Sequence, residues 1–144
     1  METYKQMRER HQQEVNALPI KAAFTMKQFE EAMAEWGLTK EDTDKIYKLG
    51  DTGCFYLRSD SQLIHDTFKR HREEREAAIA ADTTGEGYIK QMFLYEMANY
   101  EYGYTMDLTD TLDALGYTVE QINADKRLAH GLYEAKKKYI DDLE

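Results

Sequence analysis

The sequence predicts a mainly α fold: an irregular, compact, multi-helix single domain over residues 1–144, with at most one minor β element near 53–58. Three observations lead there. Apolar residues recur at spacings of three and four through most of the chain, the pattern of helices that each bury one face. Pro19 is the sole proline, and no linker, repeat or low-complexity tract marks a domain boundary. The chain has 144 residues, 42% hydrophobic and 12% aromatic, enough for one ordinary core. A domain of that size buries about 68–70% of its unfolded surface.

Each element has a local reason. Tyr4, Met7, His11, Val15 and Leu18 form a narrow stripe along a first helix, which Pro19 stops. That helix, within residues 1–18, is expected to be peripheral or to pair with a second copy. Thr25 caps a second helix carrying Met26, Phe29, Met33 and Trp36, with Gly37 past its end. Thr39 is expected to start a third, short helix through Ile46 and Leu49, closed by Gly50. The aromatic run Gly53–Arg58, after a Gly-Asp-Thr-Gly turn, is the β-like segment. Asp60 or Ser61 opens a long helix to about Ala81, with Ile64 and Phe68 inward. Asp82 to Gly87 reads as a turn. Ile89, Met92, Phe93, Leu94, Met97 and Ala98 leave few polar faces, so residues 89–102 are expected to form a central buried helix. Leu108, Leu112 and Leu115 mark a short helix ended by Gly116. Thr118 and Gln121 form a capping box, and Leu128, Leu132, Ala135, Tyr139 and Leu143 line a last helix.

The formal charge is −9, from 28 acidic and 19 basic residues. It is not spread evenly. Residues 81–125 carry Lys90 alone against Asp82, Glu86, Glu96, Glu101, Asp107, Asp110, Asp113, Glu120 and Asp125, a net −8. The same stretch holds Tyr88, Tyr95, Tyr100, Tyr102, Tyr104 and Tyr117, six of the eleven tyrosines. A field of that sign repels phosphate backbones and anionic membranes and attracts basic partners. Direct nucleic-acid binding needs a cationic stripe. The best candidate, Lys69–Arg72, is neutralised by Glu73, Glu74 and Glu76 at helical spacing. No apolar run is long enough for a membrane span. Cys54 is the only cysteine, so neither an internal disulfide nor a thiolate metal cluster can form, and a cytoplasmic setting is expected.

Motifs for catalysis are thin. Asp51-Thr52-Gly53 matches the aspartic-protease triplet, but the pattern before it is helical, and a turn accounts for its glycines. Ser59 and Ser61 lack a nucleophile elbow. His71/Glu74 and His130/Glu134 read as surface pairs on helices. Asp82 to Ile89 resembles the front half of an EF-hand loop, with Asp82, Thr84 and Glu86 at ligand positions and Gly87 at the sixth. Its twelfth position is Phe93 where a bidentate Glu is required. Those three residues are therefore a weak metal candidate. Asp82 or Thr84 capping the following helix accounts for them as well, and no cofactor is expected.

Several segments together resemble a known family. They are Asn16–Pro19 with Ala23-Phe24 and Lys27–Glu31, then Asp42–Ile46, Ala77–Gly87 and Asp110–Tyr117. They are similar to a family of small acidic proteins of unknown function from gut Firmicutes, whose members often lie on phage-like or conjugative elements. The resemblance covers nearly the whole chain and carries no activity or site. It implies a bacterial cytoplasmic setting and carriage by a mobile element. By analogy of class it points to inhibitors of defence nucleases, of anti-CRISPR or anti-restriction type.

The leading expectation is a non-enzymatic binding protein. Its interface would be Glu96, Tyr100, Glu101, Tyr102, Tyr104, Asp107, Asp110 and Asp113. Carboxylates steer a basic partner in, and tyrosines supply rigid contact area. The alternatives are a cation- or metabolite-responsive module on the Asp82–Ile89 turn, and a structural homo-oligomer built through the Tyr4–Leu18 helix.

Overall fold

The computed structural model describes all residues other than 101, 103–105 and 144. Helices dominate. They are α1 (Tyr4–Asn16), α2 (Met26–Glu35), α3 (Ser61–Ala81), α4 (Tyr88–Asn99), α5 (Thr109–Leu115), α6 (Val119–Ala124) and α7 (Lys126–Leu143). Three short strands, β1 (Ile20–Ala22), β2 (Ile46–Lys48) and β3 (Cys54–Leu57), make an antiparallel sheet in the order β1-β3-β2. No helix among the described residues is long and apolar enough to cross a membrane.

The chain divides into two compact units, residues 1–10 with 73–144, and residues 11–72. The division falls inside α1 and inside α3, so no linker separates them.

The unit of residues 11–72 is built on the sheet. Its register pairs Ile20 with Tyr56 and Ile46 with Leu57. Strand β3 is central, and its adjacent residues Phe55 and Tyr56 are both buried although they face opposite ways. Phe55 packs with Met33 and Ile46, and with the rings of Phe29 at 5.2 Å and Trp36 at 5.6 Å. The helix expected from Thr39 to Leu49 is instead a single 3₁₀ turn, Thr43–Lys45, followed by β2. The Asp42 carboxylate accepts the Thr39 N–H at 2.8 Å, a local bond that competes with helix propagation. Ile46–Lys48 then gain a full ladder against β3. So short a helix is marginal alone, and tertiary pairing decides the outcome.

The turn from β2 to β3 contains Asp51-Thr52-Gly53. Thr52 Oγ1 donates to the Leu49 carbonyl at 2.6 Å and accepts the Cys54 N–H at 3.2 Å. Gly53 has φ +79°, and a Cβ there would meet the Phe24 ring at 2.7 Å. These are the requirements of a hairpin.

In the other unit, α4 is the central element. Tyr88, Ile89, Met92, Phe93, Glu96 and Met97 are all buried. Around them pack Tyr4 and Met7 from α1, Leu112 from α5, Ile122 from α6, and Leu128 and Ala135 from α7. Tyr4 and Met7 thus spend the front of the α1 stripe inside the fold, so that part is not a free face for a second copy. Phe68, expected inward, keeps 36% of its surface exposed. The helix stops follow the sequence closely. Thr25 accepts the Gln28 N–H, and Thr118 with Gln121 makes the reciprocal capping box.

Candidate functional site

The acidic, tyrosine-rich stretch separates into an inner and an outer set. Glu96 is only 2% exposed and belongs to the core, because α4 turns it toward α1. Tyr4 Oη donates to its Oε1 at 2.8 Å, and Arg8 Nη1 does so at 3.0 Å. Burial pushes the Tyr4 hydroxyl well above the usual tyrosine range, and the neighbouring carboxylate adds to that. Tyr102 is buried too, edge-on to Tyr139 at 5.7 Å. Neither residue can be the surface contact expected of it. Tyr88 and Tyr95 pack edge-on against Tyr4, each at 5.5 Å; Tyr88 is buried, and Tyr95 and Tyr117 are half-buried against the core. Glu101 and Tyr104 lie outside the described residues.

The outer set is Tyr100, Asp107, Asp110 and Asp113, all exposed. Glu120, on α6, joins them. The Asp107 carboxylate accepts the Thr109 hydroxyl at 2.7 Å and its N–H at 2.8 Å, which holds it below the usual carboxylate range. Asp110 and Asp113 sit three apart on α5, on one face. Asp110, Asp113 and Glu120 form no ion pair among the described residues. From residue 91 to 125 the chain has no lysine or arginine at all.

The turn between α3 and α4 is built around Asp82. Its carboxylate accepts N–H groups from Gly85 at 2.9 Å, Ile89 at 3.0 Å and Gly87 at 3.1 Å. Burial opposes the charge, but these donors outweigh it and the carboxyl lies below its ordinary range. Thr84 Oγ1 lies 3.4 Å from the same carboxylate, but Asp82 oxygens facing so many N–H groups are poorly placed to ligate a cation. Instead Arg127 Nη1 donates to the carbonyls of Ile79 at 3.0 Å and Asp82 at 3.2 Å, closing the end of α3. Gly85 lies directly on α7: a Cβ there would fall 2.2 Å from the Arg127 carbonyl oxygen. Gly131 answers from the other side, where a Cβ would fall 2.7 Å from the Gly85 oxygen.

That close approach sets Glu86 over α7. Its Oε1 lies 3.1 Å from His130 Nε2, and donor atoms of Glu86, His130 and Glu134 all lie within 4.8 Å of one another. Local spacing showed the His130/Glu134 pair but not Glu86, which is 44 residues away from His130.

The other histidine pair is also rearranged. His71 is 2% exposed and sits 2.6 Å from Glu14, not on the surface with Glu74. It stacks on His11 with ring centroids 3.8 Å apart. Arg70 also reaches Glu14, so two members of the Lys69–Arg72 run are engaged within their own unit.

No curated protein and no solved structure matches the chain. Residues 3–138 match a family of unknown function, DUF7659. With nearly its whole length matched, the chain belongs to that family.

Proposed function

We propose that the protein is a non-enzymatic acidic binding module that docks its Asp107–Glu120 face onto a cationic groove of a partner protein, one that ordinarily holds nucleic acid. The observation that supports this is the set of exposed carboxylates Asp110, Asp113 and Glu120, without an ion pair among the described residues, in a stretch without a single basic residue. Carboxylates left unpaired in one region keep a field that a basic partner neutralises. Such fields raise association rates by about 10–10³-fold at low salt. Resemblance to proteins from gut Firmicutes on mobile elements supplies the class of target. A bacterial defence nuclease, of CRISPR or restriction type, has such a groove and a reason to be blocked in the cytoplasm.

The test uses the full chain as bait in extracts of a bacterium carrying defence systems, with duplex DNA and RNA as competitors. The wild type should retain a nucleic-acid-binding protein that excess polyanion displaces. The variant Asp110→Lys, Asp113→Lys, Glu120→Lys should lose it while melting at the same temperature. Equal retention by both proteins would count against the reading.

A further inference from the structure

We infer that Glu86, His130 and Glu134 form a binding site for a first-row transition-metal dication, which ties the Asp82–Gly87 turn to α7. The donor set is mixed, one imidazole nitrogen and two carboxylates, on two separate elements. Two of its members are one helical turn apart on α7, and the third comes from the turn facing them. His130 and Glu134 at i and i+4 lie on one face, the spacing by which helices present paired metal ligands.

Distances suit an ion of this size. Ligands at about 2.0–2.2 Å from a tetrahedral centre lie roughly 3.4 Å apart. Glu86 Oε1 and His130 Nε2 are 3.1 Å apart, and all three donors fall within 4.8 Å. Charge agrees as well. Glu134 makes no hydrogen bond or ion pair among the described residues, and the partner of Glu86 is His130. With the imidazole neutral, the set carries two negative charges, which a dication neutralises. The imidazole favours zinc-like ions over calcium and magnesium, which take oxygen ligands.

The backbone holds Glu86 in place before any ion arrives. The Asp82 carboxylate gathers the N–H groups of Gly85, Gly87 and Ile89, and the Gly85/Gly131 approach sets the distance from the turn to α7. Preorganisation of this kind separates a ligand set from charges scattered on a surface. Glu134 also lines a recess of about 210 Å³ beside Lys90 and Lys137, so the remaining coordination positions are within reach of water or a small anion.

The experiment is calorimetric titration of the full chain with Zn²⁺, repeated with Mg²⁺, alongside thermal melts. The expected result is one saturable zinc equivalent and a melting temperature raised by about 5 °C or more at a hundredfold excess over Kd. Mg²⁺ should produce neither effect. His130→Ala and Glu134→Gln should each weaken zinc binding at least about tenfold, while His65→Ala, an exposed histidine on α3, leaves it unchanged. Paramagnetic Co²⁺ should broaden the ring resonances of His130 before those of His65. The proposal is overturned if no saturable binding appears at millimolar zinc. It is equally overturned if His130→Ala binds with wild-type affinity.

Discussion

A carboxylate at 2% exposure persists only with donors on it, and Glu96 has the Tyr4 hydroxyl and the Arg8 guanidinium. Removing the acceptor leaves a buried phenol without its partner beside a half-exposed guanidinium that lies over the Tyr95 ring. Glu96→Ala should therefore cost about 3 kcal/mol in denaturant melts, and Tyr4→Phe about 1.5–2 kcal/mol, since the lost bond is to a charge. A Glu96 variant that melts like wild type would show that the group is not needed for the fold. Asp82 works on the same principle with backbone donors. Its folded pKa is depressed, so its contribution is complete above the unfolded value of about 3.9 and is lost as pH falls through the folded value. The stability gap between wild type and Asp82→Ala should be about 2 kcal/mol at neutral pH, on the scale of lost helix caps. Below the folded value it should shrink, and equilibrium unfolding at several pH values reads this directly.

Among elements, the contact of the α3–α4 turn with α7 depends on two residues lacking a Cβ. At Gly131 the added methyl would meet Ile89 Cγ2 at 2.5 Å and the Gly85 oxygen at 2.7 Å. Gly85 adds a backbone cost, because its φ of +85° is one that L side chains rarely adopt. Gly131→Ala is expected to destabilise by about 1–3 kcal/mol, the range for overpacked cores, and Gly85→Ala by more. Thermal melts rank the two. The same elements show which signals could be read in the chain. Thr25, Thr118 with Gln121, Pro19 and Gly116 act through neighbours within five residues, so the ends of α1, α2, α5 and α6 were visible. The apolar spacing of Thr39–Leu49 suits helix and strand alike, and the segment folds as a 3₁₀ turn and a strand. Its strand exists only through pairing with Cys54–Leu57.

For the whole molecule, tyrosine is the residue that sets the alkaline limit. Burial pushes Tyr88 up to about 12, raises Tyr4 well beyond the usual range, and raises Tyr117 with help from Asp125. A raised folded value means that the unfolded chain loses its proton first. The contribution of these tyrosines is then complete below about pH 10 and is lost as pH rises above it. Ultraviolet tyrosinate absorbance should show Tyr4, Tyr88 and Tyr117 keeping their protons above about pH 10 for as long as the fold persists. A single step for all eleven near pH 10, in a folded protein, would falsify this.

The outer carboxylates behave in the opposite way. Asp110, Asp113 and Glu120 are exposed and form no ion pair among the described residues, so reversing their charge should leave the melting temperature within about 2 °C. Composition, periodicity and capping chemistry by themselves determined that the protein is mainly helical, where most helices end, and that its charge gathers in residues 81–125. These properties are local or additive along the chain. Only the tertiary structure decided which acids face water, that Glu96 is buried together with Tyr4, Tyr56, Tyr88 and Tyr102, and that Glu86 meets His130 and Glu134. Those outcomes depend on which face of α4 packs inward and on two glycines letting a turn rest against a helix. Both are contacts between residues far apart in sequence, and no local pattern encodes them.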